Sequence, residues 1–279
     1  MLNLENETHS KHLIICEFLY LGPLNLNNMS IFKSGNPALS EKRFQNTVIT
    51  HDGEVMTERG TLNKFFFLFI MVMAAASFTW SAFYQGKDVT SWMIGGAIGG
   101  LVVAIIMAFK PQWAQYLAPA YGLLEGVFIG GISALYNQAF AQSAPGIIMQ
   151  AVVLTFGTVI AMFILYKTGV IKATERFKSI VITATMGIAI FYLLAMVMRM
   201  FGVDIAFLHE GSMLGIGISL FIVGIAALNL ILDFDMIKKG SEMGAPKYME
   251  WYGAFGLMVT IVWLYIEMLR LLSKINSRN

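Results

Sequence analysis

Seven apolar runs, each about twenty residues long, restrict the fold of this chain more than any other feature. A run of this length crosses about 30 Å of hydrocarbon as an α-helix, and only short polar connections separate the runs. Charged residues make up 13% of the 279 positions, whereas a soluble domain has about 25%. A β-barrel is excluded because its strands alternate apolar and polar residues over about ten positions. The sequence predicts an all-α integral membrane protein with seven transmembrane helices.

Hydropathy places the boundaries of the seven helices. They are residues 65–84, 92–109, 116–136, 147–166, 180–201, 213–237 and 251–272. Three regions follow from these boundaries. Residues 1–28 are an N-terminal extension, since Met29 is an alternative start, residues 29–64 are a polar cytosolic tail, and residues 65–279 are the transmembrane domain.

Lysine and arginine are distributed unequally between the two ends of the predicted helices. Most of the 19 basic residues fall on the side that holds the N-terminus, and cytoplasmic loops carry such an excess. We therefore predict a cytosolic N-terminus and an outer C-terminus. The remaining basic residues are Lys87, Arg199, Arg270, Lys274 and Arg278. Because the last three lie near the C-terminus, full crossing by the seventh segment stays open.

Several function classes are disfavoured by features that the sequence lacks. A net charge of +2 does not favour nucleic-acid binding. The single cysteine, Cys16, leaves no cysteine-based metal site, and the four histidines show no i,i+4 pair for zinc. Gly-x-Ser-x-Gly and His-Glu-x-x-His motifs are missing, and no histidine falls inside a predicted span. We expect neither an enzyme nor a bound cofactor.

Polar side chains within or at the ends of the spans are the candidate functional residues, because ionisable groups in hydrocarbon are costly and mark ion or proton pathways. They are Glu125, Asn229, Asp233, Asp235, Glu250 and Glu267. Each has the alternative role of a structural polar group bonded between helices. Glu125 follows the start of its predicted span by nine residues (125 − 116), so it lies about 14 Å deep, near the bilayer middle.

The two aspartates of the sixth span differ in their predicted positions. Asn229 and Asp233 are four residues apart and share a helix face, so both are expected to point into the bundle. Asp235 is rotated about 200° from Asp233, and Lys238 and Lys239 can neutralise it at the membrane edge. We predict that Asp233 senses pH and that Asp235 is an interfacial neighbour.

Glu250 and Glu267 lie at the two ends of the last span, 17 residues and about 25 Å apart, so they cannot share one site. Arg270 follows Glu267 by three residues, a spacing that favours a salt bridge. Either glutamate is a candidate partner of Asp233, and the sequence leaves that choice open. Two close carboxyl groups share protons, and when ionised they attract a hard cation such as Ca²⁺. Asp233 is the candidate calcium ligand, although the sequence defines no certain metal site.

Five segments carry a resemblance to a known family. They are SGNPAL at 34–39, YGLLEGVFIGGIS at 121–133, GIIMQAVVLTFGT at 146–158, LDFDMI at 232–237, and GAPKYMEWYGAFGLMVTIVWLYIEMLRLL at 244–272. With them the chain resembles the transmembrane Bax-inhibitor-motif family, particularly its bacterial branch, over nearly its whole length.

The resemblance implies six helices around a central C-terminal helix, and a pH-dependent calcium leak governed by two acids on the last two helices. Asp233 matches the first acid. Glu267, in the string Leu264-Tyr265-Ile266-Glu267, matches the second, with Glu250 as the geometric alternative.

Two functions follow as hypotheses. The first is a pH-sensitive leak of Ca²⁺ or other cations across the bacterial inner (plasma) membrane. The second is a membrane-embedded regulatory protein, whose residues 30–64 would bind a membrane protease or a cell-death or stress partner. The expected partners are therefore the lipid bilayer, cations and, under the second hypothesis, another membrane protein; nucleic acid is not expected.

Overall fold

The computed structural model describes residues 54–202 and 212–278, and these residues form seven α-helices. The helices are α1 (Glu58–Tyr84), α2 (Thr90–Phe109), α3 (Ala114–Ala139), α4 (Ile147–Lys167), α5 (Glu175–Met200), α6 (Met213–Glu242) and α7 (Met249–Asn276), with a 3₁₀ turn (Pro111–Trp113) before α3. Seven helices are long and apolar enough to cross a membrane, which confirms the predicted all-α fold. The predicted extension at residues 1–28 and most of the predicted tail lie outside the described residues.

The first helix begins earlier than hydropathy predicts. Thr57 caps it, since the Thr57 Oγ1 accepts a hydrogen bond from the Gly60 backbone N at 2.9 Å. Glu58 places a negative charge in the first turn, where the helix dipole favours it. Residues 58–64, which the sequence assigned to the tail, therefore form nearly two turns of α1. Hydropathy stops at the first charges, whereas the helix continues beyond the apolar stretch.

The last helix, α7, is the most buried of the seven described spans. In its most apolar stretch 67% of the residues are buried, against 17% in α2 and in α5. α7 packs against α1, α3, α4 and α6, whereas α2 packs against α3. A hydrogen bond from Tyr192 to Glu267 also joins α5 to α7. These contacts confirm the predicted central position of the C-terminal helix.

Consecutive helices alternate in direction, so their ends gather at two faces. The face that holds the start of α1 also holds the start of α7, where Lys64 pairs with Glu250. We call it the basic face, because it carries Arg59, Lys64, Lys110, Lys167, Lys172, Arg176, Lys178, Lys238, Lys239 and Lys247. At the opposite face Asn137 donates to the Tyr84 hydroxyl at 2.6 Å. α7 is one helix of 28 residues, about 42 Å long, which is enough to reach from one face to the other.

Helices α6 and α7 run antiparallel with a definite register. Gly253 of α7 faces Ile237 of α6, because a Cβ built on the glycine would lie 3.3 Å from Ile237 Cγ1. Towards the opposite face, Lys274 Nζ of α7 donates to Ser219 Oγ of α6 at 2.9 Å. The two contacts agree, since 274 − 253 = 21 residues on one helix match 237 − 219 = 18 on the other to within one turn.

Candidate ion pathway

Asp233 lies in α6 and is completely buried. Asn229, one turn before it, is also buried. The Asn229 Nδ2 donates to Thr185 Oγ1 of α5 and to the Ile225 carbonyl, both at 2.8 Å. Both side chains thus occupy the interior of the bundle, as their four-residue spacing predicts.

Asp235 lies at the edge of the basic face, where 13% of its side chain is exposed. Its Oδ2 is 3.0 Å from Lys239 Nζ and 3.1 Å from Lys178 Nζ, and its Oδ1 accepts a hydrogen bond from the Tyr166 hydroxyl at 3.5 Å. The predicted pairing with Lys239 is confirmed, whereas Lys238 pairs with Glu242 at 3.8 Å. The buried Lys178 is a partner that the sequence did not suggest, because it lies on α5.

Glu250 is fully buried at the start of α7 and is bonded from three other segments. Its Oε1 accepts hydrogen bonds from the Thr57 backbone N and the Thr57 hydroxyl, each at 2.9 Å. Lys64 of α1 pairs with the Oε2, and Lys247 Nζ lies 3.3 Å from the Oε1. The hydrogen bond to the Glu250 carboxylate raises the pKa of Lys247 above its ordinary value. Gly60 leaves room for the Glu250 carboxylate, because a Cβ at position 60 would collide with it.

Backbone hydrogen bonds attach the segment before α1 to the loop between α6 and α7. The Met56 N donates to the Ala245 carbonyl at 2.6 Å, and the Lys247 N donates to the Glu54 carbonyl at 3.1 Å. Together with Glu250, these bonds join the N-terminal segment to the start of the central helix. Sequence reasoning missed this attachment, because it treated residues 29–64 as a tail.

Glu267 is buried near the opposite face and has a smaller set of partners. Arg270 Nη1 lies 2.8 Å from its Oε1, which confirms the predicted pair. The Tyr192 hydroxyl donates to the two carboxylate oxygens at 3.0 and 3.2 Å, and Arg270 also donates to this hydroxyl. Tyr192 carried no signal in the sequence, since a tyrosine in an apolar run is as readily a packing residue.

The register of the last two helices fixes the height of Asp233 beside α7. Asp233 is four residues before Ile237, and Leu257 is four residues after Gly253, the residue that faces Ile237. Equal steps along two antiparallel helices keep positions level. Asp233 is therefore level with Leu257 of α7.

The register brings neither glutamate level with Asp233. Glu250 is seven residues from Leu257, or about 10 Å along the axis, and Glu267 is ten residues away, or about 15 Å. The buried Leu257 and Leu264 separate the acids along α7. The three acids therefore lie at three separate levels, with Glu250 nearest the basic face, Asp233 in the middle and Glu267 nearest the opposite face. We call these three acids the column.

Glu125 lies apart from these three acids. It is buried in α3, and a Cβ on Gly100 of α2 would lie 3.1 Å from its Oε2. Tyr121, one turn earlier on the same helix, packs its ring edge-on against Phe255 of α7 with centroids 4.8 Å apart. Glu125 thus sits where α2 packs on α3, one side chain removed from α7.

Comparison with known proteins identifies the family. The profile of the family described as Bax inhibitor 1 like matches residues 36–277. The chain belongs to this family. The match contains all seven helices, and it confirms the predicted family membership. No match to this chain was found among curated proteins or solved structures.

Within the described residues, the buried acids of the column stand singly. Across residues 54–202 and 212–278, no three His, Cys, Asp or Glu side chains lie together. Ca²⁺ takes six to eight oxygen ligands, so one carboxylate of the column offers a cation only part of a coordination shell. Weak, separated sites suit passage of an ion better than its retention.

Proposed function

We propose that this family member is a membrane protein that lets cations, Ca²⁺ foremost, leak across the bilayer under control of pH. The observation that supports it is the column of Glu250, Asp233 and Glu267, three buried acids at successive levels where α7 meets its neighbours. Buried carboxyl groups in spans mark ion or proton pathways. The chain would act without enzymatic chemistry and without a resident cofactor.

Asp233 is the pH-sensing residue in this proposal. A cationic side chain lies beside each of the two outer acids, Lys64 beside Glu250 and Arg270 beside Glu267. Asp233 is fully buried at the middle level, and a carboxyl group is neutral at low pH and charged at high pH. Protonated, Asp233 leaves the column without charge at its middle level, and a cation has no counter-charge there. Ionised, it attracts water and the cation, so flux rises as pH rises.

Asp233→Asn tests the proposal, because asparagine keeps the shape of the side chain and cannot ionise. We expect Ca²⁺ flux through this variant in proteoliposomes to stay low and nearly independent of pH, while wild-type flux rises from acidic to alkaline pH. Asp235→Asn is the matched control, and it should keep the pH dependence because Asp235 lies at the edge. A wild-type profile in Asp233→Asn would refute the role of Asp233.

A regulatory role has one observation in its favour. The segment from Glu54 to Thr57 is bonded to the α6–α7 loop and to Glu250, so a partner that binds the preceding residues would pull directly on the central helix. Co-purification of a membrane protein that survives Asp233→Asn and is lost on deletion of residues 30–53 would favour this role. We place the N-terminus in the cytosol and the protein in a bacterial inner membrane, as the basic face suggests.

A further inference from the structure

A cavity of about 550 Å³ lies between α1, α3, α4 and α7, in the half of the bundle nearer the opposite face. Its volume falls within the roughly 300–1,000 Å³ of small-molecule sites. The lining residues are almost all apolar and include Phe69, Trp80, Gly130, Val152, Phe156 and Tyr265. This cavity is distinct from the column, since none of its three acids lines the cavity.

Three of the four hydroxyl groups in the wall, those of Ser133, Thr155 and Tyr265, are bonded to protein atoms. Ser133 Oγ and the Tyr265 hydroxyl lie 2.7 Å apart in a hydrogen bond. The Thr155 Oγ1 donates to the Ala151 carbonyl of its own helix at 2.7 Å. A buried water needs about two to four polar partners, and among the described residues only the fourth wall hydroxyl, that of the exposed Ser77, has no such bond. An alkyl chain is therefore a better occupant than water.

The length of the cavity matches one leaflet of a bilayer. Along α1 the lining runs from Phe69 to Trp80, 80 − 69 = 11 residues or about 16 Å. Half of the hydrocarbon thickness is about 15 Å. Met73 belongs to the lining and is also exposed on the outer surface of the bundle, so the cavity reaches the surface that lipid covers.

The entrance lies between α1 and α4. These helices touch through the rings of Phe69 and Phe156, whose centroids are 5.6 Å apart, at the end of the cavity nearer the basic face. From this contact towards the opposite face, lining residues of the two helices stand on either side of the space. A chain anchored by its headgroup at the opposite face would enter parallel to the helices.

We propose that this cavity binds one acyl chain of a bilayer phospholipid from the leaflet at the opposite face. The chain fills the space between α1 and α4 and packs against Met258, Ile261 and Val262 of α7. Dispersion contacts along the chain replace those that an empty cavity would lack. The protein thereby holds a lipid against its central helix.

Native mass spectrometry of the full chain, purified in detergent and supplied with palmitoyl-oleoyl phosphatidylglycerol, tests the site. We expect wild type to retain one lipid and Val152→Phe, which fills the cavity, to lose at least about tenfold in occupancy. Val153→Phe is the matched control, because Val153 is the next residue and faces outward at 62% exposure. No retained lipid in wild type, retention by Val152→Phe equal to wild type, or a free fatty acid as the only adduct would overturn the proposal.

A second measurement uses the wild-type chain and so does not depend on how a variant folds. A phosphatidylglycerol with a diazirine at the end of one acyl chain is photolysed in proteoliposomes, and the labelled peptides are mapped. We expect labels on lining residues of α1 and α4 such as Phe69 and Phe156, close to the inner end of the cavity. Labels confined to exposed positions such as Phe78 and Val153 would refute the site.

Discussion

Glu250 and Glu267 are the same residue type at the two ends of one helix, and both are buried, yet their surroundings differ. Donors to Glu250 come from three places: the segment before α1, α1 itself and the α6–α7 loop. Glu267 is bonded by Arg270, three residues along its own helix, and by Tyr192 of α5. The first acid ties distant parts of the chain together, whereas the second depends mainly on a local pair.

This difference indicates which of the two carboxylates is the more firmly held. At the basic face, two lysines and a capping threonine surround one carboxylate, and backbone bonds reinforce them. At the opposite face, one arginine and one tyrosine do so. The end of α7 at the opposite face has long-range bonds of its own, since Lys274 donates to the Gly215 carbonyl and to Ser219 of α6. The contrast therefore concerns the two carboxylates and not the two helix ends. The following changes test that contrast.

Glu250→Ala should have the largest effect on stability. It leaves Lys64 and Lys247 without their carboxylate and removes two hydrogen bonds from Thr57. Because both lysines retain some contact with solvent, we expect a loss of about 2 kcal/mol, below the about 3–5 kcal/mol of a fully buried pair. Thermal unfolding in detergent measures it. Glu54→Ala, at an exposed residue that also pairs with Lys247, should change little, and equal losses in both variants would contradict the contrast.

Tyr192→Phe should cost less, about 1 kcal/mol, because Glu267 keeps its pair with Arg270 after the hydroxyl is lost. A double-mutant cycle with Glu267→Gln measures the coupling between the two side chains, which we expect to be positive. Tyr116→Phe removes an exposed hydroxyl and is the control. A loss larger than that of Glu250→Ala would reverse the assignment of the more firmly held carboxylate.

Lys274→Gln should raise cation flux with a small effect on stability. Lys274 is buried, and its ammonium donates to the Gly215 carbonyl and to Ser219, bonds that a glutamine amide can partly replace. Under the leak proposal, this positive charge repels a cation at the opposite end of the column. At about 1 kcal/mol of repulsion, its removal increases flux about fivefold. Arg278→Gln, at the exposed end of the chain, should leave flux nearly unchanged. If Lys274→Gln has the same flux as wild type, the Lys274 charge does not lie close to the ion pathway.

Lys247→Gln should have the smallest effect and a distinct pH dependence. The pKa of Lys247 is raised by Glu250, so its contribution to stability is complete below the ordinary lysine value of about 10.4 and is lost as pH rises through the raised value. The gap in melting temperature between wild type and Lys247→Gln should thus be constant from neutral pH to about pH 10 and then shrink. Lys87→Gln serves as the control, and a gap that widens in alkali would contradict the sign.

The sequence predicted the elements of this fold whose cause is local. Runs of apolar residues gave the seven helices, and the three-residue spacing of Glu267 and Arg270 gave their salt bridge. The pair of Lys64 and Glu250 joins positions 186 residues apart, and no local pattern specifies it. Helix ends were also missed where hydropathy stops at charges, as at Glu58.

The partner of Asp233 was beyond prediction for a related reason. The choice between Glu250 and Glu267 depended on the register of α6 and α7, and the contact of Gly253 with Ile237 fixes that register. A shift of one turn moves an acid by about 5 Å, and the hydropathy of either helix is the same before and after such a shift. The three-level arrangement therefore emerges only from the packed structure.

The glycine at position 60 has a consequence for how this protein can vary. Its missing side chain is the space in which the Glu250 carboxylate sits, so the two positions tolerate change only in combination. In a library that randomises both, active members with glutamate at 250 should carry glycine at 60, while a larger residue at 60 should survive only beside a shortened residue at 250. Two sites 190 residues apart (250 − 60) would then be inherited as a unit.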